Sequence, residues 1–279
     1  MIDLNNYREN IFQNYGIREC PYYGEDGVIL KIFKEVGVSK NPYCVEFGEL
    51  RVLGTTTRAY RIKFKARALY FSLSYDLRSW YLNLLDVIKL IFISRSFTYL
   101  KFFFNFPFKG FANKENIISI FKKNKVSKED LDLLTIDLDC FDYYIIKEIL
   151  DSGYRPKLFI VEYNPSYGLQ KKCTYPNDVS FKTNNLRIYG ASYAALDQLF
   201  RPIGYKLVFV SGFCNLFYLR EDLIVNFKIA DIAYEITDSK EKINAYIKKY
   251  CQKGFVPSWL NEPNLTEEDF SKLDFIKNP

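Results

Sequence analysis

From Asp26 to Gly37 the apolar residues Val28, Ile29, Ile32, Phe33 and Val36 recur at helical spacing, so the sequence predicts an amphipathic helix that stops at Gly37. Two short apolar runs follow, Tyr43–Phe47 and Ala68–Ser72, each the length of a buried strand. Between them lie the turn Gly54-Thr-Thr-Thr57 and a further helix. The pattern then repeats: a strand over Leu131–Asp137, a helix over Tyr143–Ser152 closed by Gly153, and a strand over Pro156–Glu162. After a loop at 164–188, Ala191–Phe200 reads as a helix and Tyr205–Val210 and Asn215–Leu219 as two strands close enough to form a hairpin. Strand, helix and strand in alternation predict an α/β fold whose mostly parallel sheet has right-handed crossovers and finishes with an antiparallel pair.

Two stretches fall outside this rhythm. Residues 77–111 form an aromatic and basic insertion containing Trp80, Tyr81, Phe92 and Phe102-Phe-Phe104, and 223–279 form a helical C-terminal extension. Within the extension, Asp238-Ser-Lys-Glu241 fits a capping box opening a helix to Lys253, and Thr266-Glu-Glu-Asp269 opens a second. No repeat and no long linker divides the chain, so 1–279 is read as one domain with its core at about 20–222. The insertion is read as core packing or as the contact of a homo-oligomer, with sugar stacking as the alternative.

Composition narrows the chemistry. The 279 residues include no histidine, which removes the Ser-His-Asp triad, Cys-His pairs, HExxH zinc sites and any imidazole base. The six cysteines are scattered without a CxxC pair, so reduced thiols are expected. Residues 84–108 are interrupted by Asp86, Lys89, Arg95 and Lys101 and fall short of a membrane span, and the start shows no secretory pattern, so a cytoplasmic location is expected. A net charge of +6 with no RNA- or DNA-binding motif gives no reason to expect a nucleic-acid partner. From Arg51 to Tyr75, however, six basic residues (Arg51, Arg58, Arg61, Lys63, Lys65, Arg67) occur with no acid, which suits either a solvated face or a phosphate-bearing partner.

Ligands of open parallel sheets gather at the carboxyl ends of the strands, and here those ends carry acids. Asp137, Asp139, Glu162 and Asn164 offer hard oxygen donors that suit Mg²⁺ or Mn²⁺, and a carboxylate off the metal is then free to act as general base. The competing reading has Asp142 capping the following helix and Asp137 salt-bridged elsewhere. Tyr189-Gly-Ala-Ser192 opens a helix at which Ser192 meets an anion or serves simply as a cap. Neither GxGxxG nor GxxxxGK[ST] is present, which argues against a NAD enzyme or a P-loop kinase.

Taken in order, Tyr23-Gly-Glu-Asp-Gly27, Val45-Glu-Phe-Gly48, Ile136-Asp-Leu-Asp-Cys-Phe-Asp-Tyr143, Val161-Glu-Tyr-Asn-Pro165 and Tyr189-Gly-Ala-Ser192 resemble the FkbM-like branch of S-adenosylmethionine-dependent methyltransferases. The resemblance implies a Rossmann-like class I methyltransferase sheet of seven strands with a C-terminal hairpin. It also implies O-methylation of a sugar or glycan hydroxyl, as in surface polysaccharide biosynthesis. Carried over, Tyr23, Glu25, Asp26, Glu46, Gly48 and Ser72 would border S-adenosylmethionine. Asp137 and Glu162, with Asn164, would hold a divalent metal, Asp139 and Asp142 would do the catalytic work with Asp139 as base, and Arg58, Tyr163, Tyr189 and Ser192 would meet substrate.

The chain departs from that family in one half. Where the family continues E-F-G-A-x-D-G, Arg51 and Val52 stand in place of Asp and Gly, and the next strand ends Phe71-Ser-Leu-Ser-Tyr-Asp76 with no acid at the usual position. Three readings stay open: a metal-assisted sugar O-methyltransferase; an enzyme of the same fold that has lost S-adenosylmethionine and handles a phosphorylated ligand; and a non-catalytic partner protein.

Overall fold

The computed structural model describes residues 1–9, 24–48, 55–72, 81, 84–88, 91–92, 108–109, 112–230, 240–250 and 256–277. At its centre is a seven-stranded sheet built from β1 (Tyr43–Phe47), β2 (Arg67–Ser72), β3 (Phe108–Lys109), β4 (Leu131–Ile136), β5 (Leu158–Glu162), β7 (Tyr205–Ser211) and β8 (Asn215–Arg220). The strand order is β3-β2-β1-β4-β5-β8-β7. The neighbours from β3 to β5 are parallel, and β8 lies antiparallel between β5 and β7. The fold is thus mixed α/β with a mostly parallel, Rossmann-like sheet and the expected terminal hairpin.

Central strands read as continuous apolar runs because both of their faces are covered. On one face α1 (Glu25–Val36) packs Val28, Ile29, Ile32 and Phe33 onto Cys44, Leu133 and Ile160, joined by Tyr60 of α2 (Arg58–Phe64). On the other, α3 (Ile117–Lys123), α4 (Asp142–Asp151) and α5 (Tyr193–Phe200) cover Val45, Leu134, Phe159 and Val161. Alternate residues along each strand belong to opposite faces, so Glu46, Thr135, Asp137 and Glu162 continue the α1 side of the sheet.

Four elements escape the apolar pattern. Strand β3 has two residues and lies inside the segment read as an insertion, so part of 77–111 belongs to the sheet. Helix α3 and strand β6 (Cys173–Thr174) are likewise too short to show a period. The C-terminal extension contains α6 (Lys240–Tyr250), a 3₁₀ turn at Ser258–Asn261 and α7 (Glu267–Ser271), whose Thr266 and Asp269 form the expected capping box. It is not wholly helical, because β9 (Asp274–Phe275) pairs antiparallel with β6 and ties the extension to the loop after β5. Asp238 and most of the aromatic insertion lie outside the described residues; of the insertion, Tyr81 and Phe92 are exposed and Val87 is buried. Cys44, Cys140, Cys173 and Cys214 are free thiols. Among the described residues no helix is long and apolar enough to cross a membrane.

Candidate functional site

The carboxyl ends of β4 and β5 bring three acids together. The register pairs Ile136 with Val161, so the next residues, Asp137 and Glu162, emerge side by side. Asp139 follows in a left-handed conformation (φ 61°), held by the Gly190 N–H donating to its carbonyl oxygen at 3.0 Å. One carboxyl oxygen from each of Asp137, Asp139 and Glu162 lies within 4.8 Å of the others. Water reaches Asp137 and Asp139, yet protein crowds the crevice around them, and that crowding dominates their ionisation. Burial, then the neighbouring charges of Asp139 and Asp142, pushes Asp137 up to about 8. Burial and the charge of Asp137 raise Glu162 well above the usual carboxylate range. Three carboxyls that oppose one another's ionisation form a site that a divalent cation relieves. The donor set fits such an ion: all are hard oxygens, and among the described residues the buried Oε2 of Glu162 has no hydrogen-bond partner, while its Oε1 faces Cys214 Sγ at 3.9 Å.

The other residues expected beside the ion are engaged elsewhere. Asn164 is fully buried; its Oδ1 accepts from Ser166 N (2.9 Å) and its Nδ2 donates to the carbonyls of Arg187 (2.7 Å) and Tyr189 (2.9 Å). Its amide thus clamps the loop after β5 through the protein's own backbone. Asp142 is buried and accepts from Leu138 N (2.9 Å) and Cys140 N (3.1 Å), so its carboxylate shapes the turn that carries Asp139. Burial pushes Asp142 up to about 6, against those two donors. Tyr163 is buried and donates to the Gly212 carbonyl at 2.7 Å. Ser192 is a buried helix cap whose Oγ accepts from Ala195 N and Cys173 N, both at 3.1 Å.

At the β1–β2 end the expected cofactor residues are bonded within the protein. Glu46 is buried and accepts from Thr56 N (2.7 Å), Thr57 N (3.0 Å) and Thr57 Oγ1 (2.6 Å), which covers the N-terminus of α2. Thr57 Oγ1 also meets Tyr70 Oη at 3.2 Å, and Tyr70 Oη accepts from Arg61. Asp26 and Arg58, both buried, form an ion pair of 2.9 Å between α1 and α2. Arg58 and Arg61 are therefore core residues, and only Lys63, Lys65 and Arg67 of the described basic run face solvent. Glu25 is buried, accepts from Asn215 Nδ2 at 3.0 Å, and is pushed up by burial to about 7. Gly48 has φ 111°, and a Cβ there would sit 1.8 Å from the Asp137 carbonyl oxygen, so this glycine permits β1 and β4 to meet. Ser72 ends β2; Tyr23, Arg51, Val52 and Asp76 lie outside the described residues.

A cavity of about 740 Å³ opens beside the acids. Its walls include Asp139 and Glu162, Tyr175 and Tyr189 of the loop after β5, Phe213 of the β7–β8 turn and Trp259 of the extension. Tyr189 is thus the expected substrate residue that does line a binding space. Phe213, Cys214 and Trp259 were missed by sequence reasoning: each is an ordinary core residue type, and the return of the extension onto the site shows only in the fold, where Trp259 packs with Tyr189 and Phe213 and β9 pairs with β6. Compared with known proteins, the chain matches no family model and no curated protein.

Proposed function

We propose that the chain is an O-methyltransferase that uses S-adenosylmethionine with the help of a divalent ion and acts on a sugar or glycan hydroxyl. The observation that carries this reading is the convergence of Asp137, Asp139 and Glu162 within 4.8 Å at the ends of adjacent strands, beside a cavity of about 740 Å³. The antiparallel β8 between β5 and β7 agrees with the sheet that the FkbM-like resemblance implies. Asp137 and Glu162 would hold Mg²⁺ or Mn²⁺, which supplies Lewis-acid activation of an acceptor hydroxyl. Asp139 lines the cavity on a turn fixed by Asp142 and Gly190, so its carboxylate is the group positioned to take the hydroxyl proton.

The fit to S-adenosylmethionine is poor among the described residues, because the carboxylates of Glu25, Asp26 and Glu46 are already bonded in the protein. No step is derived through that cofactor. The same observation favours a second reading, in which the acid site works on this fold without S-adenosylmethionine. Calorimetric titration with S-adenosylmethionine and S-adenosylhomocysteine, with and without Mg²⁺, separates the two. Saturable binding of either ligand supports methyl transfer; silence from both, with Mn²⁺ still bound in a spin-resonance titration and lost in Asp137→Asn, supports the second.

A further inference from the structure

We infer that the cavity beside the acid cluster takes an uncharged, hydroxyl-bearing sugar with no phosphate group, and that Trp259 is the residue that sets its shape. This rests on the reading of the cavity as an acceptor site, and does not depend on which group is transferred.

Charge is the first argument. Asp139 and Glu162 line the cavity, and among its described lining residues none is Lys or Arg. Arg187 lies in sequence between the lining residues Leu186 and Ile188 but is buried behind the wall. Its Nε donates to the Glu262 carbonyl and its Nη1 to Ser166 Oγ, both at 3.0 Å. Its guanidinium carbon stands 5.4 Å from the centre of the Trp259 ring. Arg58 and Arg61 are held in the α1–α2 core by Asp26 and Tyr70. A phosphate ester, carrying about −1.5 to −2 at neutral pH, would face carboxyl groups with no basic side chain among the described lining residues to meet it.

The second argument is the wall itself. Tyr175, Tyr189 and Trp259 supply ring surface, while Thr183 and Ser258 supply neutral hydroxyls. Alternating apolar and hydrogen-bonding surface suits the C–H and O–H faces of a sugar. Trp259 is fixed rather than adaptable, packed edge-to-face on Phe213 at 5.6 Å and backed by Arg187. Phe213 precedes Cys214, whose sulfur faces Glu162, so Trp259 also braces the turn beside the acids.

Intrinsic fluorescence offers the test, since the chain has two tryptophans and Trp80→Phe leaves Trp259 as the reporter. The probes are methyl glycosides of neutral hexoses and 6-deoxyhexoses and the matching hexose 1-phosphates, each with Mg²⁺ and with chelator. A saturable change with at least one glycoside is expected, with its phosphate at least about tenfold weaker. In saturation-transfer NMR, Trp259→Ala should weaken the glycoside about tenfold or more while Trp259→Phe retains most of the binding. Equal or tighter binding of the phosphates in either condition, or no glycoside bound by either method, overturns the inference. Glycoside binding in a protein silent to S-adenosylmethionine would leave it standing and sink the methyl-transfer reading instead.

Discussion

The two halves of the sheet's carboxyl edge treat their polar groups in opposite ways. At β1–β2, Glu46, Thr57, Tyr70 and Arg61 form one bonded network, and Asp26 closes on Arg58. At β4–β5, three carboxyls face one another, and among the described residues a buried oxygen of Glu162 has no partner. Buried polar groups that satisfy each other hold a shape, whereas like charges left together cost stability unless a ligand joins them. Sequence alone made both halves look like ligand sites; the bonding separates a scaffold from a site.

That contrast can be broken by stability measurements. Arg58→Ala, which removes one partner of a buried ion pair, should have the largest effect, about 3 to 5 kcal/mol in urea unfolding. Glu46→Ala takes the acceptor from two backbone N–H groups at the start of α2 and should cost about 1 to 3 kcal/mol by the same measurement. Ser192→Ala should cost about 1 kcal/mol through loss of its cap. In the acidic half the sign should differ: Glu162→Gln should leave stability unchanged or raise it, while Mn²⁺ binding is lost. A loss as large as that of Arg58→Ala would erase the distinction between the halves.

A pH series sharpens the same contrast. Glu25 has its folded pKa raised from 4.5 to about 7, so the folded state holds its proton more tightly than the unfolded chain does. Its contribution is therefore fully present below pH 4.5 and is lost as pH rises to about 7. Glu25→Gln should flatten part of this decline in pH-dependent denaturation. Asp137, Asp139, Asp142 and Glu162 are shifted in the same direction and add to that slope.

Much of the fold was legible because long elements carry their period. Helix α1 and strand β1 sit within a residue of the predicted bounds, since five apolar residues at helical spacing and an unbroken strand run have few alternatives. Elements of two residues, β3, β6 and β9, have no period and are defined only by pairing with a distant strand. At the site, Asp137, Asp139 and Glu162 were found because like charges at adjacent strand ends are conspicuous. Asn164 and Asp142 were misleading for one reason: a polar residue near a strand end looks the same in sequence whether it faces a ligand or bonds to the protein's own backbone; Arg58 was misleading because its buried partner, Asp26, lies 32 residues away. Trp259 was illegible because nothing in its neighbourhood encodes the β6–β9 pairing, which joins positions roughly 100 residues apart.

That pairing also imposes an order in time. Chains emerge from the ribosome N-terminus first, and all seven strands of the main sheet lie before residue 221, whereas Trp259 and β9 come afterwards. The acid cluster is complete in sequence at Glu162, so a nascent chain can assemble its charges while one wall of the cavity is still unmade. The charged crevice is thus encoded before its last wall, and the arrival of the extension closes it into a cavity.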